Sequence, residues 1–268
     1  MKFTHLLASM ACATVFAGAV QAAPHKEAIE GDHRTPAYAA RDQYRHPAET
    51  LEFFQVKPDM TVVEIWPGGG WYSEILAPML KENGTFYAAH FPADTEVGYF
   101  KSSRKSFEKM LAEEQDVYGA VKLTEFAPGG DSEIAPAGVA DAVLTFRNVH
   151  NWMGGKNEQA AFKTFYKALK PGGVLGVVEH RAKPGTSRAD MRNSGYVTQD
   201  YVIELAKNAG FVLEESSEVN ANPKDTADHP KGVWTLPPSL RLGDEDKDKY
   251  LAIGESDRMT LRFRKPKA

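Results

Sequence analysis

Short runs of β-branched and apolar residues alternate with helix-length stretches along most of this chain, and this alternation constrains the fold more than any other feature. Seven runs have strand character: residues 61–65, 85–90, 121–126, 140–146, 174–179, 211–215 and 259–263. Helices are predicted between most of them, over residues 72–81, 97–114, 158–169 and 198–208. Strands joined through helices of this length pair in parallel. The pattern therefore predicts an α/β protein with one mostly parallel sheet and helices on both faces.

The N-terminal 22 residues have the pattern of a secretory signal peptide. Lys2 gives a positive start, residues 6–20 are nearly all small or apolar, and Val20 and Ala22 suit a signal peptidase. The apolar run is shorter than the roughly 20 residues that span a bilayer core, and no later stretch is long enough. We predict cleavage after Ala22, a periplasmic or secreted location, and a single domain over residues 23–268 without a transmembrane segment.

Cysteine content and charge exclude several classes of protein. The single cysteine, Cys12, lies inside the predicted signal peptide, so the mature chain is predicted to have no disulfide, cysteine nucleophile or cysteine-ligated metal. The chain has 32 Lys and Arg against 36 Asp and Glu, a net charge of -4. Because nucleic-acid binding relies on an excess of positive charge, nucleic acid is not an expected partner, and a small-molecule substrate is favoured.

A glycine-rich turn follows the first predicted strand, at residues 66–70. Glycines let the backbone turn tightly and approach a ligand at the start of the following helix. No Gly-Lys-Ser/Thr follows, which excludes a nucleoside triphosphate loop, and Ser73 replaces the third glycine of a dinucleotide fingerprint. Glu64, at the end of a buried strand, requires a polar partner, which a nucleoside pocket would provide.

Three blocks, in order, resemble the class I S-adenosylmethionine-dependent methyltransferases over roughly residues 45–215. Residues 62–70 resemble the first motif of that family, residues 141–149 its fourth-strand motif, and residues 169–173 the turn before its fifth strand. Residues 41–47 and the form of residues 67–72 resemble a branch of predicted, exported methyltransferase-like proteins.

The resemblance implies a Rossmann-like fold, a seven-stranded sheet whose last strand is antiparallel, and S-adenosylmethionine-dependent methyl transfer to a small molecule. The cofactor-binding residues it implies lie in the turn and after strands two and four: Glu64, Gly68, Gly70, Tyr72, His90 and Asn148. The family usually has an acidic residue at the position of His90 that accepts hydrogen bonds from both ribose hydroxyls. A neutral imidazole accepts only one hydrogen bond, so His90 departs from the family pattern.

Three histidines follow strand ends that the predicted fold brings to one edge of the sheet, His90, His150 and His180. His150 and His180 are the candidates for a catalytic general base, because imidazole titrates near neutrality. Together with Glu64 and Glu179 the histidines also suit a divalent metal. A third alternative is that each histidine separately caps a strand end or hydrogen-bonds a loop carbonyl.

Residues 216–257 interrupt the alternation with charged and proline-rich sequence between the last two strands. A connection of this length favours a lid or binding loop, and Trp234 and Leu236 beside Pro237-Pro238 favour docking onto the body. Five aromatic residues are interpreted either as a wall for a flat substrate or as core, namely Trp66, Trp71, Tyr72, Trp152 and Trp234. Three arginines suit either a substrate carboxylate or surface acids, namely Arg45, Arg147 and Arg181.

Export conflicts with the implied activity, because the methyl donor is made in the cytosol. The alternative is therefore an exported, non-catalytic protein of the same fold that binds a nucleoside-like metabolite or a divalent metal. A hydrolase is disfavoured, since the chain has no Gly-x-Ser-x-Gly nucleophile elbow.

Overall fold

The computed structural model describes residues 25–267, so the predicted signal peptide lies outside the described residues. Within that range seven strands form one sheet: β1 (Thr61–Ile65), β2 (Thr85–His90), β3 (Lys122–Glu125), β4 (Ala140–Phe146), β5 (Leu169–His180), β6 (Val212–Ser217) and β7 (Arg258–Arg264). Every predicted strand is present, and the boundaries of β1, β2 and β4 agree with the sequence.

The strand order is β3-β2-β1-β4-β5-β7-β6. All neighbouring pairs from β3 to β5 are parallel, whereas β7 runs antiparallel to both β5 and β6. The predicted α/β class with an antiparallel last strand is confirmed. The winding direction reverses between β1 and β4, so the crevice above their carboxyl ends is the expected ligand site.

Twelve helices connect and cover these strands in the described part of the chain. Their bounds are α1 (Lys26–Glu30), α2 (Pro36–Ala39), α3 (Asp42–Arg45), α4 (Pro47–Phe53), α5 (Ser73–Leu80), α6 (Gly98–Glu113), α7 (Gln115–Tyr118), α8 (Val149–Trp152), α9 (Glu158–Ala168), α10 (Arg188–Ser194), α11 (Gln199–Asn208) and α12 (Lys247–Ile253). The four long helices, α5, α6, α9 and α11, agree with prediction within a residue at each end. No helix among the described residues is both long and apolar enough to cross a membrane.

The main difference from the predicted elements is the start of β5. Residues 170–173 were expected to form a turn ahead of the strand, but the strand already begins at Leu169, which pairs with Ala140. The register against β4 then shifts before Ala142 pairs with Val174. Gly172 has a φ of +80°, a conformation that glycine tolerates, so the predicted turn is an irregular first part of the strand.

Two apolar clusters cover the two faces of the sheet. Val63 and Ile65 of β1 face the cluster formed with α8, α9 and α11, and Val62 faces the cluster formed with α4 and α5. This alternation follows from the two-residue period of a strand. Glu64 therefore shares the α5 face with Val62, which determines the partners its carboxyl group can reach.

The segment between β6 and β7 packs against the body of the protein. Leu236 is fully buried, and the Asp225 carboxylate accepts hydrogen bonds from Tyr196 Oη and His229 Nε2. The backbone N–H groups of Ala227 and Asp257 donate to the same carboxylate. Asp225 thus joins the middle and the end of the segment to residues ahead of α11.

Candidate functional site

A cavity of about 650 Å³ lies in the crevice above the carboxyl ends of β1 and β4. Its wall combines the glycine turn, the residues after β2 and β4, the end of β5, helix α3, the start of α6, the segment between β6 and β7, and the start of β7. Because these parts are separated by up to about 200 residues, only the folded chain brings them together. This cavity is the candidate functional site.

The two predicted glycines of the turn have different surroundings. Gly68 has a φ of +61° and lines the cavity, and a Cβ built on it would meet nothing within 4 Å. Gly70 has a φ of +90°, and a Cβ there would lie 2.9 Å from Met110 Cε and 3.3 Å from Phe107. Gly68 therefore opens the backbone to the cavity, whereas Gly70 allows α6 to pack against the turn.

Glu64 finds its polar partner within the protein. Its carboxylate is almost fully buried and accepts a hydrogen bond of 2.6 Å from Ser73 Oγ, at the start of α5. Burial raises the pKa of Glu64 to about 7, although the Ser73 hydrogen bond opposes that shift. The side chain is not part of the cavity wall.

His90 supports the turn. Its ring is fully buried, Phe91 N–H donates to Nδ1 at 2.8 Å, and Nε2 lies 3.1 Å from Gly68 O. Because Nδ1 accepts, the proton is on Nε2 and points to the Gly68 carbonyl. Burial lowers the pKa of His90 to about 4, so the ring is neutral. Neither nitrogen is left for a ribose hydroxyl, contrary to the role predicted for His90.

Tyr72 and Asn148 complete the predicted cofactor set. Tyr72 is buried and stacks on Phe146 with ring centroids 3.6 Å apart, away from the cavity wall. Asn148 lines the cavity, and its Nδ2 donates to Ile65 O at 2.8 Å, which ties the end of β1 to the end of β4. Of the six predicted cofactor-binding residues, the cavity wall thus contains Gly68 and Asn148.

Trp66 divides the crevice. Its backbone has a φ of 49°, and its ring packs against the stacked rings of Phe91 and Phe100, with centroid distances of 4.6 and 5.4 Å. The indole Nε1 donates to Phe126 O at 2.9 Å. On its far side lies a second cavity of about 280 Å³, whose wall includes Trp152. Trp66, Phe100 and Asn151 line both cavities and form the partition between them.

His150 and His180 both lie in the cavity wall, as predicted for a pair of candidate bases. His150 Nδ1 is 3.1 Å from Glu179 Oε1, and the carboxylate also accepts from the backbone N–H groups of His150 and His180. A carboxylate held by such donors is an acceptor, so His150 Nδ1 carries the proton and Nε2 carries the lone pair. His180 Nδ1 lies 2.5 Å from Ser256 Oγ.

His180 is disfavoured as a base. Burial, then the neighbouring His150 ring and the positive charge of Arg258, lower the pKa of His180 well below its ordinary value. Ligand atoms of His150, Glu179 and His180 lie within 4.8 Å of one another, a spacing that a divalent metal can bridge. The same arginine that disfavours a proton on His180 disfavours a metal cation there.

Arginines dominate the charge of the cavity. The cavity wall contains one carboxylate, Glu255, and five arginines, namely Arg41, Arg45, Arg147, Arg241 and Arg258. Arg41 Nε and Arg45 Nε donate to the two oxygens of Glu255 at 2.5 and 3.2 Å, and Arg258 also donates to that carboxylate. Burial opposes ionisation of Glu255, but the three arginines outweigh it and hold its pKa well below the usual range.

Most of this charged wall was missed from the sequence, where Arg45 and Arg147 were only alternatives for binding a carboxylate. A topological signal for Arg258 exists, because an antiparallel strand begins at the edge where its parallel neighbours end. Arg258 accordingly pairs with His180 across β7 and β5. Arg181, in contrast, donates to Glu218 and Asp257 outside the cavity wall. This agrees with the alternative prediction that it pairs with surface acids.

No protein-family model matches this sequence, and no curated protein matches it. Solved structures do match in fold. A SAM-dependent methyltransferase from Aquifex aeolicus has a TM-score of 0.56 and 14% identity, over 84% of this chain and 93% of that chain. The [4+2]-cyclase SpnF has a TM-score of 0.58 and 16% identity, over 89% of this chain and 86% of that chain.

A putative sarcosine dimethylglycine methyltransferase from Galdieria sulphuraria is similar, with a TM-score of 0.58 and 12% identity over 91% of each chain. This chain therefore has the Rossmann-like fold of the class I methyltransferases. At these identities the comparison establishes the fold, and the activity has to be argued from the site.

Proposed function

We propose that this chain binds S-adenosylmethionine in the cavity and catalyses methyl transfer to a small molecule. The observation that carries the proposal is the turn at Gly68, which is open to a cavity at the switch point of a methyltransferase fold. The volume of about 650 Å³ suffices for the methionine part of the cofactor beside a small acceptor.

The residues present fit the methionine part of this cofactor better than its nucleoside part. Gly68 and Asn148 would contact it from the turn and the end of β4. When bound, S-adenosylmethionine supplies an electrophilic methyl group on a positively charged sulfur. The ribose would need a partner other than His90, and the adenine would need to pass Trp66.

His150 is the proposed general base. Glu179 holds its Nδ1–H, which leaves the Nε2 lone pair to accept a proton from the acceptor molecule as the new bond to carbon forms. His180 would remain neutral and act as a hydrogen-bonding group, because burial lowers its pKa. This division of roles follows the general arrangement in which a carboxylate orients a catalytic imidazole.

A second candidate is binding or catalysis on a small molecule without S-adenosylmethionine. Trp66 and His90 favour it, since the indole separates the two cavities and both nitrogens of His90 are already bonded. The charge of the wall favours it as well. S-adenosylmethionine is a net cation, whereas the wall has five arginines and one carboxylate.

Calorimetric titration of the purified protein with S-adenosylmethionine and S-adenosylhomocysteine tests the proposal. Gly68→Asn should weaken binding at least about tenfold, because the new side chain enters the cavity while asparagine tolerates the left-handed backbone. Gly138→Asn is the matched control, since Gly138 has a φ of +73° and equally open surroundings outside the cavity wall. Absence of binding at millimolar ligand would reject methyl transfer and leave the second candidate.

We also propose that the chain is exported, on the basis of the predicted signal peptide that ends at Ala22. Fractionation of the native cells and N-terminal sequencing test this. The mature protein should begin at Ala23 outside the cytoplasm, and an uncleaved cytoplasmic protein would contradict the proposal.

A further inference from the structure

The cavity has a charge opposite to that of the whole chain. Five arginines and one carboxylate line it, an excess of four positive charges, in a protein whose net charge is -4. Glu255, the carboxylate already counted in this difference, is shared by three of these arginines. The positive charge is therefore concentrated where a ligand would enter.

Arg258 has an unused donor. Its side chain is 2% exposed, one terminal nitrogen donates to Tyr44 O, and the other donates to Glu255. Its Nε has no hydrogen-bond partner among the described residues. Buried N–H groups in folded proteins nearly always have a partner, so this enclosed donor leaves Arg258 incompletely satisfied beside the cavity.

Arg147 is held in the wall at a conformational cost. It has a φ of 61°, which is unfavourable for a residue with a Cβ. Within residues 25–267 its guanidinium has no hydrogen-bond partner, and burial, with Arg258 nearby, lowers its pKa to about 10. The group is thus charged at neutral pH, partly desolvated and unpaired, a combination expected of a ligand-binding residue.

Arg241 completes a third side. Its guanidinium lies 4.6 Å from the centroid of the Trp234 ring. The centroids of the Trp234 and His150 rings are 6.0 Å apart. A guanidinium stacked on an aromatic face keeps its in-plane N–H groups free for an anion. Another part of the wall is apolar, where the rings of Phe91 and Phe100 stack with centroids 4.1 Å apart.

From these observations we infer that the cavity binds a small molecule with a doubly charged head, a phosphate monoester or a dicarboxylate, on a flat apolar body. Arg147, Arg241 and Arg258 bind the head through charged hydrogen bonds, and the aromatic side receives the body. As the substrate class of the methyl transfer, this inference rests on the proposed function. Anion binding itself is measured without S-adenosylmethionine, so the two can fail separately.

Phenyl phosphate and phthalate are suitable probes for the two kinds of head, with benzoate as the singly charged probe and benzyl alcohol as the neutral one. We expect at least one doubly charged probe to bind ten times more tightly than benzoate in calorimetric titration, and benzyl alcohol not to bind. Whichever doubly charged probe binds more tightly, phenyl phosphate or phthalate, identifies the head as a phosphate or a dicarboxylate. Equal affinity for all four probes would overturn the inference. So would the absence of binding of any probe at about 10 mM.

Arg147→Gln provides the residue test, since it removes the charge and keeps a shorter side chain with a polar end. It should weaken the preferred probe at least tenfold, and Arg147→Lys should recover part of the loss. Arg192→Gln, on the exposed side of α10, is the control for a change in net charge and should leave the affinity unchanged. An equal affinity for Arg147→Gln and the wild-type protein contradicts the inference.

The probe also separates this inference from the proposed function. If the anion neutralises the wall, S-adenosylmethionine should bind more tightly in its presence, because the cofactor is a net cation. Anion binding that depends on Arg147, without any cofactor binding, would reject methyl transfer and retain the anion site. Cofactor binding without anion binding would do the reverse.

Discussion

At the scale of single residues, the site depends on side chains whose environment differs from what their position in the sequence suggests. Glu64 and His90 were both predicted to contact a cofactor, yet their polar atoms bond Ser73, Gly68 and Phe91. Each is buried because the strand it ends is covered on both faces. Their function in this structure is to hold the glycine turn.

Glu64 is expected to make stability depend on pH. Its pKa is raised by burial to about 7 in the folded protein, whereas an unfolded glutamate titrates near 4.3. Between these values the folded state retains a proton that the unfolded state has lost, so this contribution to stability is present below about pH 4 and lost as the pH rises to about 7.

Glu64→Gln should remove this dependence. The free energy of unfolding of the variant, minus that of the wild-type protein, should increase between pH 4 and pH 7. The slope should be about 1.4 kcal/mol for each pH unit. Urea titrations at several pH values measure it. A constant difference between the two proteins across this range would contradict the raised pKa.

Trp66 is the residue that limits access to the nucleoside side of the crevice. Trp66→Gly should join the two cavities and increase the affinity for S-adenosylhomocysteine at least tenfold, if the proposed cofactor binds. The lost packing should lower the free energy of unfolding by about 3 kcal/mol. Glycine should recover about 1 kcal/mol of that loss, because it accepts the positive φ. Calorimetry and urea titration measure the two effects.

Gln55→Gly is the control for the backbone term, since Gln55 also has a positive φ, of 59°, but lies outside both cavity walls. A rise in affinity in both variants, or in neither, would show that Trp66 does not obstruct this ligand.

At the scale of elements, the segment between β6 and β7 contributes a side of the cavity, and Asp225 attaches it to the body. Four donors converge on its carboxylate: Tyr196 Oη, His229 Nε2, and the N–H groups of Ala227 and Asp257. Because Trp234, Arg241 and Glu255 follow in the same segment, loss of this attachment would disorganise the wall.

Asp225→Asn should therefore destabilise the segment locally, since it turns a donor group toward other donors. We expect a loss of about 3 kcal/mol. Hydrogen exchange should accelerate in residues 226–257 more than in β1 and β4. Asp228→Asn is the matched control, because Asp228 is exposed and pairs with Lys183, and it should leave exchange unchanged. Uniform acceleration throughout the sheet would contradict a local role for Asp225.

At the scale of the whole molecule, a sheet of seven described strands places its carboxyl ends beside a positively charged cavity in an acidic protein. The overall charge of -4 gave no sign of the local excess of arginine in the cavity wall. Charges distributed along a sequence have no local field until the fold brings them together. The methyltransferase fold defines where the site is, and the wall defines what it attracts.

The sequence by itself determined the α/β class, the four long helices and the switch-point location, because these depend on local periodicity and on glycines in one turn. It also placed His150 and His180 at the edge of the sheet where the cavity lies, since both come at predicted strand ends. Only the tertiary structure decided that Trp66 divides the crevice, that His90 is bonded internally, and that the arginines share one cavity. Those properties depend on contacts between residues as far apart as Arg41 and Glu255, and no local pattern records such contacts.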